Sequence, residues 1–254
     1  MAGAAVVLLV IAGLAWFLPA RWAAAWLAPR LHGVRLEQVQ GTLWDGRAGR
    51  VLTSGGQVLG QLQWRLSRRA MLGDVRLRIA LAGPALDVDG ELHRQSADRL
   101  AWHDVHLQLN PALLAPSLTT PFGQPRGTLA VQMPSAVLQG GWPLQLQAQV
   151  QWHDAGLRTH NGEVALGNLQ FAADGENGMI RTLMHDDGHG PLALAGQLDA
   201  SPLGWRLDAT LRPRNGDPAL RQWLASLGRP SADGTLHLQR SGGLAAALPG
   251  ARAR

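Results

Sequence analysis

Cysteine, lysine and tyrosine are absent from this sequence of 254 residues. Without cysteine the chain has no disulfide framework, no thiolate nucleophile and no cysteine-ligated zinc. Hydrophobic residues make up 46% of the chain and charged residues 16%. This is a globular composition, which excludes a charge-rich disordered chain. The formal net charge of +5 is carried by arginine alone and forms no continuous basic run.

The arginines are densest in one short part of the sequence, at Arg65, Arg68, Arg69, Arg76 and Arg78. A nucleic-acid-binding protein normally shows a basic stripe on one helix, or aromatic residues interleaved on a sheet. Neither pattern is present, so no nucleic-acid partner is predicted. A solvated face of strands and turns accounts for these arginines, and contact with anionic lipid head groups is the alternative.

The N-terminal segment is apolar, with no charged side chain from residue 2 to residue 20. At about 1.5 Å per residue it is long enough to cross a hydrocarbon layer of about 30 Å. Trp16, Trp22 and Trp26 follow near its exit, where indole rings favour the head-group layer. We therefore predict a transmembrane helix over 1–20 and a juxtamembrane linker over 21–33. A cleaved signal peptide and a buried core helix are the alternatives, and no basic residue precedes Arg21 to fix the orientation.

Beyond Pro29 the apolar period changes to two, which is typical of strands with one buried face. The clearest alternation places apolar residues at 144, 146, 148, 150 and 152, with glutamines between them. The pattern predicts a mainly β domain over 34–241, a curved antiparallel sheet or a sandwich-like fold, with Leu146 and Trp152 inward and Gln147 and Arg206 outward. Residues 242–254 lack alternation and are predicted to form a disordered tail.

Turn-forming dipeptides separate the predicted strands. They are Asp45-Gly46, Gly55-Gly56, Asp89-Gly90, Gly140-Gly141, Asn161-Gly162, Asp174-Gly175, Asn177-Gly178 and Asn215-Gly216. Short helices are predicted at 67–72, 110–115 and 217–227, the last with Asp217 as its N-cap and Gly228 after its end. Gly-Thr-Leu recurs at Gly41, Gly127 and Gly234, and Trp-His-Asp at Trp102 and Trp152. Two similar halves would explain this repetition.

Two motifs near the N-terminus carry a resemblance to a known family. They are Gly-Thr-Leu-Trp-Asp-Gly-Arg-Ala at 41–48 and Leu-Gly-Gln-Leu-Gln-Trp-Arg-Leu at 59–66, preceded by an apolar segment that ends in Leu-Pro-Ala at 18–20. In these features, over residues 1–110, the chain resembles the bacterial type II secretion system protein N family. The C-terminal part, with Gly204-Trp205 and a later Asp233-Gly234, is similar also to lipid-transfer proteins of the AsmA type.

The resemblance implies an accessory inner-membrane component of the type II secretion system, with a single membrane span and a periplasmic β domain. Its role would be to aid the export of folded proteins across the outer membrane. The implied partners are the inner-membrane platform subunits, with the secretin as a further candidate. The alternative is an AsmA-like envelope protein that binds or transfers lipid in an apolar groove, so lipid stays open as a ligand. No cofactor is predicted.

The tryptophans near the first motif are predicted to be core residues. Trp44 and Trp64 fit this role because aromatic burial dominates the packing of β domains. Gly46 is predicted to close a tight turn in a strained backbone conformation. The functional alternative is an exposed strand edge that recruits a strand from a partner.

No segment predicts catalysis or a metal site. The sequence from His185 to His189 has ligand-type side chains, but its Asp187-Gly188 step is also a hairpin turn, which we favour. The His and Asp of each Trp-His-Asp segment are adjacent in a strand, so they point to opposite faces and cannot form one dyad. A nucleophile elbow and a phosphate-binding loop are both absent from the sequence. The prediction is a binding protein rather than an enzyme, with no catalytic residue, no cofactor-binding residue and no metal ligand.

Overall fold

A computed structural model describes residues 18–22, 33–53, 55–112, 123–160 and 162–243. The prediction of a mainly β, antiparallel protein is confirmed. The predicted transmembrane helix and linker lie almost wholly outside the described residues, and so does nearly all of the predicted tail. Within the described ranges, no helix combines the length and apolar character needed to cross a bilayer. The chain divides into two compact units, residues 1–95 and 96–254.

Unit 1 is an antiparallel meander in which each strand pairs with the next along the chain. Its strands are β1 (Arg35–Gly41), β2 (Asp45–Leu52), β3 (Val58–Leu66), β4 (Val75–Ala82) and β5 (Leu86–Arg94). A 3-10 helix, Arg68–Leu72, joins β3 to β4, as the sequence predicted for 67–72. The hydroxyl of Ser67 accepts a hydrogen bond from the Arg69 N–H, which caps this helix.

Unit 2 is also built of antiparallel strands, which range from 8 to 18 residues in length. They are β6 (Arg99–Leu109), β7 (Gln124–Gln139), β8 (Trp142–Thr159), β9 (Gly162–Glu176), β10 (Met179–Asp186), β11 (Leu192–Ser201), β12 (Gly204–Pro213) and β13 (Leu236–Gly243). Because strands pair in chain order, the described part of unit 2 is one meander. A helix, rather than a second sheet, packs on this meander. Unit 2 is therefore not the sandwich-like fold that was one form of the prediction.

That helix is α1 (Pro218–Leu227), between β12 and β13. The predicted start is confirmed, because the Asp217 carboxylate accepts a hydrogen bond from the Ala219 N–H at 2.9 Å and proline follows at the first position. Leu220 and Leu224 lie on one face and are 0% and 1% exposed. They pack into a buried cluster with Leu192, which centres the core of unit 2 under α1. Of the predicted helix at 110–115, only the start is described, as a 3-10 turn at Pro111 and Ala112.

Bulges let the long strands keep their apolar side chains on one face. In β8 the buried positions step from Trp152 to Ala155, three residues rather than two, and the pairing with β9 shifts register there. The extra residue is absorbed at Asp154, whose φ is +48°, a conformation that aspartate tolerates better than most residues. Asp104 has a φ of +50°. Both Trp-His-Asp segments thus place their aspartate in a left-handed conformation.

Several predicted turns are correct and others are wrong. Gly140-Gly141 and Asn177-Gly178 close hairpins with positive φ at both residues, and Gly55-Gly56 lies in the turn before β3. Asp89-Gly90 and Asp174-Gly175 lie inside β5 and β9, where packing overrides the local turn preference. Asn215-Gly216 leads into α1 instead of closing a hairpin.

Candidate functional site

The sheet of unit 2 has one apolar and one polar face, because successive side chains point to opposite sides. An apolar row crosses every strand of the unit through directly paired residues. Its members are Leu107, Val131, Val150, Phe171, Met184, Gly196, Ala209 and Leu238. On the α1 side of this row the face is closed, since Leu192 and Leu236 are 1% and 2% exposed beneath the helix.

A second apolar row lies at the opposite end of the same strands, and we call it the distal row. It consists of Trp102, Ala136, Leu146, Gly175, Ile180, Ala200, Trp205 and Gly242. None of these residues belongs to the buried cluster under α1. Trp205 is 41% exposed, and the nearby turn residues Leu203 and Met179 are each 64% exposed. Trp205 and these two turn residues are therefore the accessible part of the apolar face, while Ala136 within the row is 3% exposed.

Glycines let the large side chains of the distal row lie flat on the backbone. A Cβ at Gly242 would come within 2.6 Å of the Trp205 indole nitrogen, so the ring covers this glycine. A Cβ at Gly175 would likewise lie 3.0 Å from the Leu146 Cβ. Such aromatic and aliphatic cover over glycine pins the register of neighbouring strands. The distal row is a built surface of fixed shape.

The opposite face of unit 2 is polar, and it carries the two residues predicted to point outward. Gln147 and Arg206 are exposed and lie in one cross-strand row with Asp174, Arg181 and Asp199. The prediction for these two residues is confirmed, and the structure adds that they share a row. A groove of about 530 Å³ on this face is lined by Leu183, Ala195, Gly196, Gln197, Asp199, Arg206 and Asp208.

Two of the charges in this row, Arg181 and Asp199, are paired with each other. The Arg181 guanidinium donates to the Asp199 carboxylate at 3.1 Å, and the Gln197 amide donates to the other oxygen of Asp199 at 2.8 Å. Burial alone would raise the pKa of Asp199, but these two partners outweigh it and hold the pKa below its ordinary value. The carboxylate of Asp199 is therefore engaged by protein donors on both oxygens.

The segment from His185 to His189 forms a structural clasp at the α1 end of the sheet. Asp186 is 8% exposed in its side chain and pairs with Arg214 at 2.6 Å. The same carboxylate accepts hydrogen bonds from the Leu194 and Gly188 N–H groups, at 2.8 and 2.7 Å. Burial alone would raise the pKa of Asp186, but these hydrogen bonds and the guanidinium hold it below its ordinary value.

Asp187 completes the clasp by closing the turn between β10 and β11. Its carboxylate accepts from the His189 N–H at 2.9 Å and from the Asn168 amide at 2.8 Å. These contacts lower the pKa of Asp187. The turn interpretation of this segment agrees with the geometry, since both carboxylates are engaged by protein donors. In the part of the chain that the structure describes, no three or more of the His, Asp and Glu side chains are grouped as metal ligands.

In unit 1, the Gly-Thr-Leu-Trp motif at 41–44 supplies a core residue. Trp44 is 5% exposed, which confirms its predicted place in a core. Trp64 is half-buried and donates its indole N–H to the Leu43 carbonyl at 3.1 Å. The predicted strain at Gly46 is wrong: the positive φ, +89°, falls on Gly41, while Gly46 lies at the start of β2 under the Trp64 ring.

Sequence reasoning missed the contacts that join distant parts of the chain. The Asp186 to Arg214 ion pair has no sequence signal, because both residues sit in loops or at a strand end among many similar charges. The pairing of Trp205 with Gly242 also depends on register. The sequence did contain a signal for the bulges. Trp-His-Asp occurs twice, and its aspartate tolerates the left-handed conformation that a bulge requires.

Comparison with known proteins agrees with the early resemblance. The family model described as type II secretion system (T2SS), protein N, matches residues 32–239. A relative named type II secretion system protein N, from Klebsiella pneumoniae, is 29% identical over 226 residues, which cover 86% of this chain and 85% of the relative. No solved structure gives a significant match. Because the family match covers well over half of the chain, from before β1 into β13, the chain belongs to the type II secretion system protein N family.

Proposed function

We propose that this type II secretion system component is an accessory inner-membrane subunit with one membrane span over 1–20 and a periplasmic β domain over 34–241. The domain acts as a non-enzymatic interaction module that aids the export of folded proteins across the outer membrane. The observation that carries the proposal is the family match across residues 32–239. The uncharged N-terminal segment supports the membrane span. The linker over 21–33, a disordered tail after β13, which ends at Gly243, and the similarity of the two halves belong to the same proposal.

The proposed contact surface is the distal row, and the proposed occupant is an inner-membrane platform subunit. An accessible apolar surface rimmed by polar residues is typical of a protein interface. Trp205 has the features of an anchor residue, because it is large, partly exposed and fixed in place over Gly242. The secretin is the further candidate partner.

One observation favours a second function. The distal row is lined by Leu, Ile, Ala and Trp side chains on a sheet, which is the surface an acyl chain would contact in a lipid carrier. Under this alternative the row would hold a lipid instead of a protein side chain. The two functions differ in the chemistry of the adduct that a probe on this row would form.

In-cell photo-crosslinking separates the two functions. A photoreactive amino acid is placed at Trp205 in the distal row, and at Gln147 and Arg206 on the polar face as matched strand positions. The adducts are then identified by mass spectrometry. Adducts to platform subunits from position 205 support the assembly function. Phospholipid adducts alone at that position would replace it with the lipid carrier.

A further inference from the structure

The 3-10 helix between β3 and β4 presents large apolar side chains to solvent. Leu72 is 88% exposed, the highest value among the exposed large hydrophobic residues, and Met71 is 45% exposed. No residue of this helix is buried. A soluble surface normally carries single exposed apolar residues, so two adjacent ones at the tip of a connection need a reason.

Residues 67–73, which we call the tip, are held in a defined conformation by hydrogen bonds at both ends. At its start, the Ser67 N–H donates to the Arg76 carbonyl at 2.8 Å. At its end, Gly73 adopts a φ of +94° and donates its N–H to the Ala70 carbonyl at 3.1 Å. The exposure of Leu72 is therefore a property of a built turn.

Two arginines lie on the same short helix as these apolar side chains. Arg68 and Arg69 are exposed on the same helix, and no acidic residue occurs from 66 to 73. The nearest acid along the chain is Asp74, which already bonds Arg76 at 3.2 Å and His93 at 3.1 Å. The tip thus combines positive charge with exposed apolar surface.

We propose that residues 67–73 form a contact site for an anionic phospholipid bilayer. Leu72 and Met71 enter the boundary between head groups and acyl chains, while Arg69 contacts lipid phosphates. Basic residues beside inserted apolar side chains are the recognised combination for interfacial binding. The proposal uses residues of unit 1 alone, and it does not depend on a secretion role or on the N-terminal span.

A bilayer fits this tip better than a protein partner does. A stable protein interface needs about 800 Å² on each side, with a packed centre. Two side chains on one short turn offer much less than that area. A bilayer surface needs no matching shape, and its phosphates complement the arginines.

The absence of cysteine allows a clean test with the full chain. Leu72→Cys is labelled with the environment-sensitive dye nitrobenzoxadiazole, and Val58→Cys is the matched control. Val58 is an exposed apolar residue, 40% exposed, at the opposite end of β3. Each labelled chain is reconstituted with vesicles of phosphatidylethanolamine and phosphatidylglycerol, or of phosphatidylcholine alone.

We expect at least a twofold rise in dye emission at position 72 in the anionic vesicles, with quenching by doxyl-labelled lipid, and a smaller rise in phosphatidylcholine. The label at position 58 should change in neither. An equal rise in dye emission at the two positions, or no rise at position 72, overturns the proposal. Flotation of the same samples measures attachment of the whole chain to the vesicles. A chain that floats without a change at position 72 therefore shows failure of the tip contact and not of the membrane span.

The charge requirement is tested with Arg69→Gln in the Leu72→Cys background. Loss of one arginine near an anionic surface is expected to weaken the contact roughly fivefold, measured by titration with phosphatidylglycerol. The matched variant Arg47→Gln removes an exposed arginine from β2 and should leave the titration unchanged. Equal effects of the two variants would overturn the assignment of the head-group contact to this tip.

Discussion

The two ends of the apolar face in unit 2 are alike in chemistry and differ in cover. Under α1, Leu192, Leu220 and Leu224 are at most 1% exposed. In and beside the distal row, Trp205 is 41% and Leu203 64% exposed. The comparison teaches that a strand pattern of alternating apolar residues fixes a face but not what covers it. One end stabilises the fold, and the other is available for a partner.

The largest expected effect is at the covered end. Leu220→Ala should lower the free energy of unfolding by about 4 kcal/mol, because a fully buried leucine leaves a cavity under α1. Chemical denaturation of the purified protein measures this value. Gln222→Ala, an exposed position on the same helix, is the control and should change stability by less than about 0.5 kcal/mol. Similar values for the two variants would show that α1 does not close the core.

The second largest loss of stability is expected in the clasp, at the α1 end of the sheet. Asp186→Asn is expected to lower the free energy of unfolding by about 2.5 kcal/mol, because it leaves Arg214 without its buried partner. The exposed ion pair of Asp45 and Arg65 supplies the control, since Asp45→Asn should cost at most about 1 kcal/mol. Equal losses in the two variants would contradict the role given to the clasp.

The same carboxylate predicts a pH dependence. The pKa of Asp186 is lower in the folded protein than the unfolded value of about 3.9. Its contribution is therefore complete above about pH 4 and is lost as the pH falls through the folded pKa. Between about pH 4 and pH 2 the wild type should lose stability more steeply than Asp186→Asn, as measured by denaturant midpoints across that range. Parallel curves would contradict the assignment.

A smaller loss is expected in unit 1. A Cβ at Gly46 would lie 2.3 Å from the Trp64 ring, so Gly46→Ala should cost about 2 kcal/mol through overpacking. The matched control is Gly55→Ala, where the nearest heavy atom is 3.8 Å away and φ is not in the left-handed region. Thermal unfolding compares the two variants. An unchanged midpoint for Gly46→Ala would mean that Trp64 does not depend on this glycine.

The smallest effect on stability is expected at the distal row. Trp205→Gln should lower the free energy of unfolding by about 1 kcal/mol or less, because the side chain is partly exposed. Crosslinking to platform subunits from the neighbouring Leu203 should nevertheless fall severalfold in this variant. A large stability loss with unchanged crosslinking would place Trp205 in the core and remove it from the contact surface.

Local patterns predicted the elements whose signals lie within a few residues. The N-cap at Asp217, the glycine pair at 140 and 141, and the alternating glutamines of β8 are examples. Asp89-Gly90 and Asp174-Gly175 failed because strand pairing on both sides overrides the preference of a dipeptide. The distal row was beyond prediction, since it depends on the register of eight strands, and one residue of slippage would move its side chains to the polar face.

Single-cysteine labelling tests the central claim most directly, using Leu203→Cys, which leaves Trp205 of the distal row in place beside it, and Thr210→Cys on the opposite face of β12. A membrane-impermeant maleimide is added to spheroplasts with and without the other secretion genes, and the purified chain is assayed for label. We predict that both positions react when the other genes are absent, and that position 203 alone becomes protected when they are present. Equal labelling of the two positions under both conditions would contradict a partner on the distal row.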